Sequence, residues 1–544
     1  MAIKKYVANA DTTITNAFQP NLNTRATGAN AGASDVLETF SIYGRQASSS
    51  AELSRILIKF PIDQITTDRN NGVIPGSGSV SFYLRMFNAK HSKTVPSGSY
   101  LMVAEPLSRD WQEGFGLDLE TYKDKTNGNV GSNWMSASAT TPWTKTGGDY
   151  ITAANAAYPW RWFSQRMTTG LEDIEIDITQ MVELWSAGTV NNYGFGVHLT
   201  GAAEAYYDVA QDGTYDGWNQ NTTGSTTSFY TKRFFARGTQ YFYKKPVIEA
   251  RWNSSRKDDR GDMFYSSSLA GVNDNLNTIF LYNYVRGRLS NIPSVNKGAI
   301  YVSFYSGSND DSKSSGHSKA TGTETGREDR MAITLPTTLP YTHVSALNPY
   351  VVTGGWISTG IYTASFAITG ATPPLTKIFD VWHDGSGKNR PWSGIEFATS
   401  SFRPLNMSAS VSVNKPFYFL NITNLRNSYD AAETARFNLF VRPKYWNPTV
   451  YTIANADVEN TSQASASYMV YRVLDGHAAV PYGTGSNGET MLSYDMSGNY
   501  FDFDMRLLEP GYTYAFKFSF YDNDIGSWTE QKDSFKFRVE DYEY

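Results

Sequence analysis

Cysteine is absent from all 544 residues of this chain. Its absence excludes disulfide bonds, thiolate metal sites and a cysteine nucleophile, and it is typical of a protein that assembles in a reducing cytoplasm. A chain without disulfides that works outside the cell must be stabilised by large cores or by subunit interfaces.

Charge is also scarce. Charged residues make up 18% of the chain and the formal net charge is −5, so there is no electrostatic reason to expect a nucleic acid or an anionic membrane as a partner. No apolar run approaches the length of a membrane span. The first residues, MAIKKYVANADTTITNAF, have a basic start but no apolar stretch of signal-peptide length. We therefore expect synthesis in the cytoplasm and, if the protein leaves the cell, release by lysis.

Catalytic motifs are missing as well. The chain has six histidines, which are far apart in sequence, and neither an H-E-x-x-H nor a G-x-S-x-G motif. Residues 483–488 match G-x-G-x-x-G, but a dinucleotide site needs a helix after this motif. The segment that follows has a strand pattern, which favours a hairpin loop. We expect no enzymatic activity, no catalytic residues and no cofactor.

Aromatic residues and glycine are plentiful, with 15% aromatics and 44 glycines, a composition that suits sheets with polar loops. A chain of this length is expected to form roughly three domains. The sequence predicts an all-β protein of three tandem β-sandwiches at 1–252, 263–403 and 404–544, with the charge-dense segment 253–262 (NSSRKDDRGD) as a linker.

The stretch 171–199 combines a strand, a short helix and a second strand. Isoleucine alternates with acidic residues over 173–178, which predicts a half-buried strand. Met181, Val182 and Trp185 then fall at helical spacing and Gly188 is a suitable stop. Alternation returns over 193–199. A helix this short is not stable alone in water, so we expect it to cover a sandwich as a lid.

The first 252 residues resemble the DNRLRE-type β-sandwich module. The similarity lies in a strand RILIKF-P, a Trp-rich connection ending in G-G-D-Y, the segment just described and a closing strand KPVIEARW. The matching residues are Gly147, Gly148, Asp149, Asp177, Ile178, Thr179, Val182, Trp185, Gly188, Asn192, Tyr193, Gly194, Phe195 and Leu199. Gly196-Val197-His198 is this chain's own variant of the last strand. The resemblance implies a jelly-roll-like sandwich similar to carbohydrate-binding modules, from a family found in surface proteins and tailed-phage virions.

The two later regions carry weaker signals. Strands are predicted at 278–284, 299–305, 362–368 and 378–382, and the Ser/Gly/Lys/Asp-rich stretch 306–330 is predicted to be a mobile loop or an arm that orders on a partner. The segment Leu508–Phe518, with Pro-Gly followed by Tyr514, resembles the start of strand F in fibronectin type III domains. That resemblance implies a tyrosine corner, in which the Tyr514 hydroxyl bonds back to the backbone.

Acidic residues at strand spacing have two interpretations. A carboxylate pair in a cleft could be formed by Asp173, Glu175 and Asp177, or by Asp502 and Asp504. Alternation alone explains both sets as the solvent-exposed face of a half-buried strand. Asp212 and Asp216 lie in a Gly-rich loop and are weak calcium candidates. A solvated turn is favoured there, because the ligand pattern of an EF-hand loop is incomplete.

Two sets of aromatic residues could bind a ligand. Trp111, Trp134, Trp143, Trp160 and Trp162 occur in or near the long connection 107–150 and could stack on sugar rings, although anchoring of the connection is favoured. Tyr206, Tyr207, Tyr215 and Trp218, in the polar loop after Leu199, are the better candidates for ligand or subunit contacts.

These expectations together suggest a protein that works by contact. The leading hypothesis is a non-enzymatic structural protein of a tailed-phage virion that binds other virion proteins and copies of itself. The alternative is a glycan-binding module of a receptor-binding appendage or a cell-surface adhesin. A polysaccharide-degrading enzyme is disfavoured because it would need a carboxylate pair in a cleft.

Overall fold

The chain is all-β and divides into two compact units, Ala2–Trp252 and Asn253–Tyr544. The structure, a computed structural model, describes residues 2–19, 21, 23–44, 50–90, 99–117, 131–152, 162–208, 220–271, 273–306, 351–370, 377–385, 395–405, 417–444, 446, 450, 460–483, 487–523 and 525–541. The predicted arm 306–330 lies outside these residues from position 307 onward.

The described residues of the first unit form two antiparallel sheets and two α-helices. Its elements are β1 (Ile3–Val7), β2 (Ala10–Thr15), β3 (Val36–Gly44), β4 (Ser50–Lys59), α1 (Ile62–Asn70), β5 (Ser81–Met86), β6 (Tyr100–Pro106), β7 (Phe163–Met167), β8 (Ile174–Asp177), α2 (Thr179–Ser186), β9 (Phe195–Leu199), β10 (Phe229–Phe235) and β11 (Val247–Arg251). One sheet has the order β1-β11-β5-β8. The other has seven strands in the order β10-β3-β4-β9-β6-β7, with β2 also paired to β4.

The predicted strand–helix–strand segment is confirmed as β8, α2 and β9. Met181, Val182 and Trp185 are buried in a hydrophobic core that draws on both sheets. Gly188 has φ +70°, the left-handed conformation expected just beyond a helix end. The helix therefore covers the core as a lid. Helix α1, which begins after Pro61, was not expected; Ile62 and Ile65 are its buried residues.

The seven-stranded sheet is covered on both faces. Ile56, Ile58 and Phe60 point into the core shared with the other sheet, as the alternation predicts. Leu53 and Leu57, on the opposite face of β4, contribute to a second cluster together with Trp111, Trp134 and Trp143. The long connection is thus anchored by its own tryptophans, because a segment without regular hydrogen bonding needs buried apolar area to hold it.

In the second unit, the residues that the structure describes form three larger sheets and a hairpin. Its strands are β12 (Asn277–Tyr282), β13 (Tyr284–Val285), β14 (Arg288–Leu289), β15 (Ala299–Ser306), β16 (Val351–Ser358), β17 (Ile361–Phe366), β18 (Ile378–His383), β19 (Glu396–Phe402), β20 (Tyr418–Ile422), β21 (Ser428–Asp430), β22 (Thr434–Pro443), β23 (Ala466–Arg472), β24 (Ala478–Val480), β25 (Ser493–Asp495), β26 (Gly498–Asp504), β27 (Thr513–Asp522), β28 (Ser527–Glu530) and β29 (Phe535–Glu540). The sheet orders are β12-β17-β16-β15-β18-β19, β20-β22-β26-β25 and β21-β29-β27-β23-β24 with β28 on β27.

The region 263–403 shows, among its described residues, a single six-stranded sheet and the β13–β14 hairpin. The segment 253–262, predicted as a linker, belongs to the second unit and is packed in it. Arg260 donates to Asp258 at 2.5 Å and to the fully buried Asp380 at 2.7 Å. Burial raises the pKa of the Asp258 carboxyl to about 6 against the opposing pull of Arg260.

The region 404–544 has an aromatic core between two sheets. Phe437 of β22 lies 4.7 Å, between ring centroids, from Phe516 of β27. The Tyr514 hydroxyl donates to the Glu509 carbonyl at 2.9 Å, so the predicted tyrosine corner is present. Asp504 was predicted to lie on the solvent-exposed face of its strand, and this was wrong, because the residue is 3% exposed. Its carboxylate accepts from the backbone N–H of Arg506 and is therefore turned toward the chain.

Candidate binding cleft

A cleft of about 730 Å³ opens on the outer face of the seven-stranded sheet in the first unit. Strands β4, β9 and β6 lie side by side there. Arg55, His198 and Glu105 alternate along these strands with residues of the shared core, so their side chains face away from it. The lining also includes Lys145, Thr146, Gly148, Tyr150, Thr152, Trp162, Thr200, Gly201, Glu204 and Gln220.

An ion pair forms the floor of the cleft. Arg55 donates from Nε and Nη2 to the two carboxylate oxygens of Glu204, both at 2.9 Å, and from Nη1 to the Gly147 carbonyl at 3.0 Å. Burial by itself would raise the pKa of the Glu204 carboxyl, but attraction to Arg55 and the hydrogen bonds from it outweigh burial and hold that pKa below its usual value. Both charges are therefore satisfied within the protein.

The G-G-D-Y motif builds one wall. The Asp149 carboxylate accepts from the backbone N–H groups of Thr144 and Lys145 at 3.0 and 2.9 Å, which holds the turn. Gly148 has φ +111°, and a Cβ at this position would lie 2.7 Å from the Tyr150 hydroxyl oxygen. Glycine is therefore required both by the backbone conformation and by the close approach of the tyrosine.

Tyr150 lines the cleft close to the charged side chains of Arg55, Glu105 and Glu204. Its hydroxyl donates to the Gly147 carbonyl at 2.8 Å, and burial raises its pKa to about 12. Its ring centroid lies 5.1 Å from that of His198. Gly196 makes room for the ring, since a Cβ there would be 2.3 Å from Tyr150 Cε1.

His198 is buried, with 7% of its surface exposed, yet one of its nitrogens lacks a partner. Nδ1 lies 2.7 Å from the Leu199 carbonyl oxygen. Nε2 makes no hydrogen bond and lies 3.4 Å from Oε2 of Glu105. The cleft thus holds a polar atom for which the described residues supply no partner, and such an atom calls for an explanation, of which a bound polar molecule is one.

The aromatic residues proposed for ligand contacts differ in how exposed they are. Trp162, at the cleft, is 50% exposed. Tyr206 is half-buried, and Tyr207 is only 4% exposed inside the second cluster, so the expectation of an outward contact at Tyr207 was wrong. The loop folds Tyr207 back because its backbone pairs with Asn221. Trp160, Tyr215, Trp218 and the calcium candidates Asp212 and Asp216 lie outside the described residues.

The carboxylates at strand spacing are engaged in pairs. Glu175 lies against Arg85 and Arg251, Asp173 accepts from the backbone N–H of Asn88, and Asp502 pairs with Arg436. Across the parts of the chain that the structure describes, no three His, Asp or Glu side chains are placed to hold a metal ion. In the same residues, no helix is both long and apolar enough to cross a membrane.

The charged residues and the histidine of the cleft were not predicted. They are spread over about 150 positions of the sequence. Arg55, Glu105 and His198 meet only through strand pairing, and Glu204 follows β9 in the turn after it. Two signals were available. Arg55 is a charged residue inside an apolar strand, and His198 stands in the strand variant that sets this chain apart from the resembled family.

The sequence matches no protein-family model and no curated protein. Among solved structures, trypsin-activated alpha-2-macroglobulin from Escherichia coli is similar at 8% identity and a TM-score of 0.16, covering 69% of this chain and 24% of that one. The native conformation of E. coli alpha-2-macroglobulin is similar at 8% identity and a TM-score of 0.14, covering 93% of this chain and 20% of the other. The chain thus spans a quarter or less of those proteins, and similarity this weak carries no functional conclusion.

Proposed function

We propose that this chain is a non-enzymatic structural protein of a tailed-phage virion, made in the host cytoplasm and acting through contacts with its own copies and with other virion proteins. The motif resemblance of residues 1–252 motivates the phage context. Two units built mainly from antiparallel sheets suit a component that works by surface complementarity.

An exposed apolar sheet edge is the observation that carries this proposal. Strand β20 is at the edge of its sheet and pairs, among the described strands, with β22 alone. Phe417, the residue just before the strand, and Phe419 within it are each 51% exposed. A sheet edge that has no second partner strand among the described residues and carries exposed aromatics is a template for pairing with another chain, and soluble monomers normally protect such edges.

Immunogold electron microscopy of purified particles tests the assignment. Gold at one fixed, symmetric position is expected. Particles without gold, with the protein found on cell envelopes instead, would reject it. The variant F417K/F419K is expected to reduce incorporation into particles, whereas L474K, at a side chain that is 78% exposed elsewhere in the same unit, is expected to leave it unchanged.

A second candidate function, saccharide binding, is favoured by the cleft. An exposed tryptophan beside a pocket lined by hydroxyl, amide and imidazole groups suits a ligand with apolar ring faces and polar edges. This function is compatible with the first, because an appendage of a particle can carry a binding site for the host surface.

Binding to immobilised host polysaccharide tests this candidate. Aromatic stacking on a nucleic-acid base contributes about 1–3 kcal/mol, and we use that scale for a sugar ring. W162A is therefore expected to weaken binding by about 5- to 150-fold. W528A, which removes a tryptophan that is 47% exposed in the other unit, is the matched control. Absence of binding across a broad glycan panel would reject the candidate.

A further inference from the structure

His198 is held in one orientation by its own strand. Nδ1 lies 2.7 Å from the Leu199 carbonyl oxygen, which can only accept, so Nδ1 carries the proton. In the neutral imidazole Nε2 then presents a lone pair. The ring cannot turn freely, because it is packed against Tyr150.

The Nε2 lone pair faces a second acceptor. Oε2 of Glu105 lies 3.4 Å away, and the two side chains are 8% and 15% exposed. Among the described residues, Nε2 has no hydrogen-bond partner. When the imidazole is neutral, Nε2 and Oε2 are two acceptors that repel each other unless donors approach them, and leaving a buried group such as Nε2 unsatisfied is costly. The described residues supply no donor to Nε2, so a bound molecule can supply one.

We propose that His198 and Glu105 form a subsite for two adjacent hydroxyl groups of a neutral sugar, one donating to Nε2 and the other to Oε2. The inference rests on the second candidate function, saccharide binding. A vicinal diol presents two donors side by side, which matches two acceptors side by side. The ring that bears it would extend toward the exposed face of Trp162.

The charges of the cleft favour a neutral sugar over an acidic one. Arg55 is committed to Glu204 and to the Gly147 carbonyl, so its guanidinium is not free to bind a carboxylate. Glu105 would repel an anion placed at Nε2. The remaining cation of the lining, Lys145, is an exposed residue and therefore contributes little attraction in water.

Calorimetric titration of the full chain with cellohexaose, maltohexaose and hexagalacturonate tests the subsite. A neutral hexasaccharide is expected to bind at least tenfold more tightly than hexagalacturonate. E105Q is expected to weaken that binding at least tenfold, since its new amide N–H can donate to Nε2 and occupy the acceptor internally. D63N changes an exposed carboxylate on α1 in the same isosteric way and is the control.

Nitrogen NMR of the His198 imidazole distinguishes a direct hydrogen bond from the sugar to Nε2 from an indirect structural effect of the substitution. On addition of the neutral hexasaccharide, the Nε2 resonance of His198 is expected to shift as that atom accepts a hydrogen bond, and E105Q is expected to show a similar shift before any sugar is added. An unmoved resonance, an unchanged Kd for E105Q or preference for hexagalacturonate would overturn the inference.

The outcomes also distinguish failure of the diol subsite from failure of saccharide binding as a whole. If neutral sugar binds and binding is lost in W162A but not in E105Q, saccharide binding stands and the diol subsite is wrong. If neither neutral hexasaccharide binds and the glycan panel is also negative, both are rejected.

Discussion

The hydroxyl of Tyr514 is bonded twice to the backbone of Glu509. It donates to the Glu509 carbonyl at 2.9 Å and accepts from the Glu509 N–H at 3.0 Å. Tyr514 is 2% exposed, and both hydrogen bonds are partly buried. The bonds tie the turn before β27 to the strand that crosses the sandwich.

Removing this hydroxyl is expected to destabilise the second unit. Y514F removes the partner of the Glu509 N–H and carbonyl in a partly buried site, and the loss is expected to be about 1–3 kcal/mol in the free energy of unfolding. Chemical denaturation followed by aromatic fluorescence measures it. Y521F removes a hydroxyl from a side chain that is 38% exposed and should change the stability little. Equal effects of the two variants would contradict the prediction.

The Arg55–Glu204 pair is expected to matter far more than the ion pairs at the surface. R55M leaves the Glu204 carboxylate buried without its partner and should cost about 3–5 kcal/mol. R55M/E204Q should recover part of that loss, because the amide carries no charge. Thermal unfolding of the first unit reports both.

An exposed pair serves as the comparison. Lys517 and Glu530 are 30% and 44% exposed, and K517M is expected to change stability by roughly 0–1 kcal/mol. If R55M and K517M have the same small effect, the floor of the cleft is less dependent on its ion pair than we infer.

Asp11 should make the first unit less stable as the pH rises. Burial raises the pKa of its carboxyl to about 7, against hydrogen bonding from the Arg237 backbone, while Glu113 adds to the increase. Between about pH 4 and pH 7 the folded state therefore holds a proton that the unfolded state releases, and stability falls over this window.

The variant D11N should remove this dependence. In this variant the free energy of unfolding is expected to change little between about pH 4 and pH 7. Above pH 7 it is expected to exceed that of the wild type by as much as about 4 kcal/mol. Urea denaturation at several pH values measures both effects. D63N, at an exposed carboxylate, should leave the profile as it is. A D11N profile with the slope of the wild type would refute the assignment to Asp11.

Gly196 should be intolerant of any side chain. In G196A the new Cβ would lie 2.3 Å from Tyr150 Cε1, so the tyrosine must leave the wall of the cleft. Overpacking of this kind is expected to cost about 1–3 kcal/mol and to weaken saccharide binding. G201A is the matched control, since Gly201 also lines the cleft but a Cβ there meets nothing within 4 Å. Thermal unfolding and calorimetric titration of both variants decide the matter, and equal behaviour would contradict it.

Local periodicity determined much of the architecture. The change from alternation to helical spacing and back over 174–199 is a short-range pattern, and β8, α2 and β9 follow it. The tyrosine corner is also local, because Tyr514 and Glu509 are five residues apart. Such features can be predicted from one sequence because neighbouring residues alone decide which face is buried.

The candidate site was decided by tertiary structure. Arg55, Glu105 and His198 come together because β9 pairs with both β4 and β6, and no spacing in the chain encodes which strands become neighbours. The burial of Tyr207 has the same origin, since it depends on which loop covers the outer face of the sheet. The sequence by itself determined an all-β chain with alternating strands, a short helical lid and anchoring tryptophans. Only the packing of distant segments could create an imidazole nitrogen that is buried, oriented and unsatisfied, because that state depends on contacts from several strands at once.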